Sequence, residues 1–197
     1  MLVTVSGAVA RPSVVEVALG TPLSDVVACA GGPTQPVKAL LVGGYYGSWV
    51  NARTARSAPF SRAGLAGVGA SPGAGVLVAL PATACGLVET ARVLAWFAGE
   101  SAGQCGPCAF GLPALATTTV ALVRGEARPA DVERLRRWSG EIEGRGACRH
   151  PDGATALLRS ALSVFADDAE VHAAGMPCGG VSARPTLRVP APGEGWR

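Results

Sequence analysis

Glu100-Ser101-Ala102-Gly103-Gln104-Cys105-Gly106-Pro107-Cys108, answered forty residues later by Gly146-Ala147-Cys148, is the pattern on which the chain is organised. Two thiols three residues apart, on a turn broken by Gly106 and Pro107, can point at one centre. A third thiol brought back by the fold makes a soft, anionic pocket suited to an iron–sulfur cluster or to zinc.

Helical patterns flank these thiols and predict how they meet. Leu87, Ala91, Leu94, Ala95 and Ala98 share one helical face that ends at Gly99. After the cysteine loop, Leu112, Leu115, Thr119, Leu122 and Val123 give a second stripe, which stops near Gly125. Pro129 opens a third helix through Val132, Leu135, Trp138 and Ile142, closed by Gly144. Asp152 is expected to cap a fourth, with Ala154, Leu157, Leu158, Ala161 and Phe165 facing inward. Four amphipathic helices with short connections predict an up-and-down bundle over residues 83–180, followed by a C-terminal tail, 181–197. In such a bundle the first and third loops share a pole, so Cys105, Cys108 and Cys148 converge there. Cys85 and Cys178 fall at the opposite pole, where they can approach each other. His150 reads as a loop residue before Pro151, with a ligand role as the alternative, and His172 carries no special signal. The Arg134, Arg136 and Arg137 face, mixed with Asp131 and Glu133, reads as solvated surface.

Residues 1–82 carry a different pattern. Val3 and Val5 alternate with polar neighbours, Gly7 turns the chain, and Val14, Val15 and Val17 begin a second strand. Thr21 and Pro22 predict the cap and first residue of one helix, with Leu23, Val26 and Val27 buried and Gly31-Gly32 as its stop. Cys29, in its last turn, reads as small core filler. A strand over Ala39–Val42 leads into Gly43-Gly44-Tyr45-Tyr46-Gly47-Ser48-Trp49, expected as a partner-facing turn anchored by Trp49. Gly75–Leu80 closes the unit as an apolar strand, so the fold class is α+β, a small β-grasp sheet with one helix and then an all-α bundle.

Composition narrows the function classes. At 197 residues and 49% apolar content the chain can bury a core and is not a disordered polymer. The net charge is +3, and all but one of the 17 basic residues are arginines scattered along the chain, with few aromatics. A nucleic-acid surface is therefore not expected. No run of eighteen apolar residues exists, so no membrane span is predicted. The N-terminus alternates like a strand rather than reading as a signal peptide, which predicts a cytoplasmic setting, peripheral to a membrane only through a partner. There, six cysteines point to metal or core rather than disulfides.

Glu-Ser-x-Gly-x-Cys-x-Pro-Cys with a distant Cys148 resembles the iron–sulfur region of the NADH-binding flavoprotein subunit of respiratory complex I and its relatives in NAD-linked hydrogenases and formate dehydrogenases. Val-Ser-Gly-Ala-Val-Ala-Arg-Pro with Leu-Gly-Thr-Pro-Leu is similar to the soluble-ligand-binding β-grasp domain that precedes that region in the same subunit. The resemblance implies a [4Fe–4S] cluster, or its [3Fe–4S] form, on Cys105, Cys108 and Cys148 as second, third and fourth ligands, with Ala102 where the first would stand. It implies an electron-transfer component of an NADH:quinone oxidoreductase-like enzyme, with a redox partner or flavoprotein subunit. The family's flavin and NADH site lies in a preceding domain with a glycine-rich nucleotide loop that nothing here matches, so no FMN or NAD site is expected, and the nearness of Met1 to the first strand suggests an absent upstream part. Two other readings stand beside this one: a cluster-free relative kept for protein docking, which the alanine at 102 favours, and a structural zinc site completed by His150.

Overall fold

A computed structural model describes residues 1–190, the side chain of residue 129 aside; the last seven residues of the expected tail lie outside the described residues. The chain is mixed α and β, with one five-stranded sheet and, among the described residues, eight α-helices and one π-helical turn. It divides into two compact units, residues 1–84 and residues 85 onward.

The first unit is built on alternation. In β1 (Leu2–Gly7), Val3 and Val5 are fully buried while Leu2 and Thr4 face solvent. β1 pairs antiparallel with β2 (Ser13–Glu16) and parallel with β5 (Val76–Pro81). β5 pairs antiparallel with β3 (Val37–Val42), and β3 with the edge strand β4 (Ser48–Asn51), giving the order β2-β1-β5-β3-β4. Lying centrally, β5 is apolar without alternation. β3 begins earlier than expected because a bulge at Lys38 carries its pairing back to Val37. Gly7 has φ 85°, and a Cβ there would sit 2.2 Å from the Ala79 carbonyl oxygen, so the β1–β5 contact requires glycine.

α1 (Leu23–Cys29) covers the sheet with Leu23, Val26 and Val27. Its start differs from expectation. Pro22 is the flanking residue, and the Thr21 hydroxyl donates to the Ala18 carbonyl instead of capping. Cys29 is exposed, because at 100° per residue it lies well off the stripe formed by Leu23, Val26, Val27 and Ala30. Two short helices join the one expected, α2 (Ala52–Ala55) and α3 (Arg62–Ala66), each begun by a side-chain cap from Asn51 and Ser61. Trp49 is buried in β4, just after the turn that precedes it.

In the second unit, α4 (Gly86–Gly99) packs against α5 (Leu112–Val123) and α7 (His150–Val164), while α6 (Pro129–Ile142) packs against α7 and α5. The buried face of α4 is rotated from the expected stripe: Thr90, Val93 and Phe97 join Leu87, Ala91 and Leu94, and Ala95 is exposed. An additional helix, α8 (Ala166–Ala173), follows α7 after a break at Phe165. Phe165 lies on Gly86, where a Cβ would stand 2.1 Å from its ring. Past α8 the chain returns to α4. The Glu89 carboxylate accepts from the backbone N–H groups of Thr186 (2.6 Å) and Leu187 (3.2 Å), and the Leu187 side chain is buried.

Candidate metal centre

The loop after α4 reaches the π-helical turn Pro107–Gly111 and then α5. Such single π turns occur frequently at functional sites. Both the Cys108 and Ala109 N–H groups donate to the Cys105 carbonyl, at 3.0 and 2.8 Å, so this turn stacks the two thiols side by side. Cys108 is buried, Cys105 half-buried and Cys148 exposed.

The loop between α6 and α7 brings Cys148 to them. The Ala147 N–H addresses the Cys105 thiol and is the main cause holding its pKa below the ordinary value, followed by the Cys108 N–H. Burial pushes the Cys108 thiol up, and the neighbouring Cys105 and then the charge on Cys148 raise it further. Cys108 thus stands near enough to feel both other thiols, and Cys105 is the one held toward the thiolate form. Asp152 fastens this loop. It stands in the first turn of α7 rather than at its cap, and its carboxylate accepts from the Gly144 N–H and from Arg149, both at 2.8 Å. Glu143 adds a two-pronged pair with Arg159 at 2.5 and 2.6 Å.

His150 begins α7 instead of lying in the loop. Its Nε2 is 2.9 Å from the Phe97 carbonyl, which can only accept, so that nitrogen carries hydrogen. Its ring meets Phe97 edge-on at 5.4 Å. Ala102 is exposed, its carbonyl taken by the Gln104 amide, and it offers no donor. Thiols are the donor type that iron–sulfur clusters take, and no further cysteine of this loop stands beside Cys105 and Cys108.

A second donor set was not legible as a group. Cys85 flanks the start of α4, His172 lies in the last turn of α8, and Cys178 follows it. One ligand atom from each lies within 4.8 Å of the others, and Cys85 Sγ is 3.4 Å from His172 Nε2. Cys85 and His172 are buried and Cys178 half-buried. Burial, with Cys178 beside it, pushes the Cys85 thiol up to about 12. The expected approach of Cys85 and Cys178 is therefore found, with His172 added because α8, half of whose residues are polar, buries it.

Residues 83–172 match the NADH-ubiquinone oxidoreductase-F iron–sulfur binding region, and residues 2–44 match the SLBB domain. The chain is 26% identical over 170 residues to the F subunit of NADH-quinone oxidoreductase from Rickettsia bellii, covering 84% of this chain and 41% of that one. To its counterpart from Streptomyces coelicolor it is 27% identical over 179 residues, covering 90% and 40%. A chain of the NAD+-reducing [NiFe]-hydrogenase, solved in its H2-reduced state, superposes with a TM-score of 0.78 at 27% identity, over 87% of this chain and 29% of the other. The chain spans about two fifths of the length of the curated relatives it matches. Two family models in tandem, together matching about two thirds of the chain, show that it carries an SLBB domain followed by the iron–sulfur binding region named for NADH-ubiquinone oxidoreductase F.

Proposed function

We propose that the chain is an electron-transfer module that holds a [4Fe–4S] or [3Fe–4S] cluster on Cys105, Cys108 and Cys148, in the manner implied by the family's iron–sulfur region. The observation that carries this is the convergence of the three thiols from two loops, with the Cys105 thiol favoured as thiolate by the Ala147 N–H. When bound, a cluster supplies one-electron chemistry at a potential set by burial and hydrogen bonds. The chain's own part is positional: the π-helical turn fixes the spacing of Cys105 and Cys108, and Asp152 fixes the loop that presents Cys148. The exposed side of Cys148 gives the site a face toward a partner. The pairing of α4–α7 supports reading this region as a four-helix bundle, and the strand order with α1 across the sheet supports a β-grasp fold for the first unit.

The partner is a flavoprotein or another redox subunit, and the setting is cytoplasmic. Among the described residues no helix is long and apolar enough to cross a membrane. The chain by itself does not oxidise NADH or retain FMN, since a dinucleotide site needs a glycine-rich approach to a helix N-terminus and no such motif follows a strand here. Anaerobic reconstitution tests the reading. It should give bound iron and sulfide with a paramagnetic signal, lost in Cys105→Ala with Cys148→Ala. Absent sulfide, or a cluster that survives both substitutions, overturns it. In that event the exposed Ala102 favours the docking module without a cluster.

A further inference from the structure

We infer that Cys85, His172 and Cys178 form a second metal site, independent of the iron–sulfur site, that takes a single thiophilic dication such as Zn2+ and leaves one coordination position open. Three observations converge on it. The first is spacing. With Zn–S near 2.3 Å and Zn–N near 2.1 Å, a tetrahedral ion sets its S and N ligands about 3.6 Å apart and two sulfurs about 3.8 Å apart. Cys85 Sγ and His172 Nε2 stand 3.4 Å apart, and the whole set lies within 4.8 Å. Small rotamer changes close such a set on one ion. A cluster of several irons, by contrast, is held by thiolates spread around its faces.

The second observation is charge. Cys85 and Cys178 bind as thiolates, each releasing its proton to solvent, and His172 binds as neutral imidazole. Two thiolates neutralise a dication, so the occupied site carries no net charge, as a pocket with Cys85 1% exposed and His172 fully buried demands. Half-buried Cys178 leaves an entry path. Nearby Glu89 does not complete the sphere, because its carboxylate is held by Thr186, Leu187 and Arg92.

The third is how the ligands are held. Phe165, the residue just before α8, is pressed onto Gly86 beside Cys85. Gly125, in the turn after α5, comes against Gly175, where a Cβ on it would stand 3.1 Å from the Gly175 carbonyl oxygen. Glu89 fixes the chain again at Thr186 and Leu187. Cys178 is therefore presented from a segment fastened on both sides. An ion bound there would clasp the C-terminal segment to the start of α4, and its binding free energy would add to stability.

The experiment uses the full chain with Cys105, Cys108 and Cys148 all replaced by Ser, so that the loop thiols cannot capture the probe, and reduced, metal-free protein titrated with Co2+. The expected result is one Co2+ per chain with tetrahedral visible bands and a thiolate charge-transfer band in the near-ultraviolet, displaced by Zn2+, and a Zn2+-dependent rise in melting temperature. Adding Cys178→Ser, at a half-exposed position that should not disturb folding, must weaken the charge-transfer band and remove the thermal shift; His172→Gln must do the same. No uptake of Co2+, a cobalt spectrum without thiolate bands, bands unchanged by Cys178→Ser, or a Cys85–Cys178 disulfide in protein kept under reductant overturns the assignment. Failure of iron–sulfur reconstitution on the native loop leaves this result unaffected.

Discussion

Glu89→Gln probes the point at which the C-terminal segment is fastened to α4. The side chain is 3% exposed, and its two oxygens accept from Thr186 N–H at 2.6 Å and Leu187 N–H at 3.2 Å, with Arg92 at 2.8 Å on the same oxygen as Leu187. Glutamine keeps the volume, so no cavity confuses the result. It removes the charge and turns one acceptor into an NH2 group that faces a backbone donor. A hydrogen bond to a charged group contributes about 1.5–3 kcal/mol net, and the low end for both backbone contacts sums to about 3 kcal/mol. Arg92 still reaches the Leu187 carbonyl at 3.1 Å, so the segment loses its acceptors without losing every tie. About 3 kcal/mol corresponds to roughly a hundredfold shift in the opening equilibrium. Amide hydrogen exchange at Thr186 and Leu187 should accelerate by about that factor, while exchange in the middle of α5 should change far less. Unchanged exchange at both amides would refute the view that Glu89 holds the segment.

Gly86→Ala should destabilise the second unit, because a methyl group 2.1 Å from the Phe165 ring cannot be accommodated when that ring is itself 2% exposed. Overpacking costs about 1–3 kcal/mol against a helix-propensity gain of at most about 1, and Phe165→Leu should restore part of the loss in urea denaturation. The Asp152 carboxyl is held below its usual range by the Gly144 N–H first and Arg149 second. A depressed carboxyl stabilises above its unfolded pKa and ceases to do so as pH falls through its folded value, so exchange at Gly144 should quicken below about pH 4. Asp152→Asn should show the faster exchange at neutral pH as well. Ala102→Cys should slow the loss of visible absorption in air after anaerobic reconstitution; an unchanged decay would count against an incomplete thiolate shell at that position.

Much of the fold was legible because single residues carry strong local signals. Val3 and Val5 alternate against exposed neighbours, and β5 is apolar because it is paired on both edges. The helices α2 and α3 were not legible, since each buries a single side chain, Ala55 or Leu65, and neither shows an apolar stripe. Their only sequence signals are the caps: Asn51, two residues before Arg53, and Ser61, three before Gly64. At the site, the C-x-x-C spacing and Cys148 could be read directly, whereas the role of Asp152 could not, because its partner lies eight residues back along a folded loop. His172 was hidden for a similar reason. Ala-Asp-Asp-Ala-Glu reads as a solvated run, yet past the break at Phe165 the helix runs so that Ala169 and His172 are buried.

The two donor sets also constrain each other. Cys85 begins α4 and Cys105 follows its end, and fourteen residues at 1.5 Å each place about 21 Å of helix between them. No ligand bond spans that length, so Cys85 cannot stand in for the thiol that Ala102 lacks. Cys178 is held within 4.8 Å of Cys85 and His172, and is removed from the cluster loop by the same helix. His150 gives its Nε2–H to the Phe97 carbonyl and begins a helix whose position Asp152 fixes from the other side. On the proposed reading, the remaining coordination position of a cluster on Cys105, Cys108 and Cys148 falls to solvent, a small molecule, a partner chain or the Nδ1 of His150, whose Nε2–H is already held by the Phe97 carbonyl. A side-chain donor from a partner at that position would make assembly and cluster stability depend on each other, because the ligand would be present only in the complex.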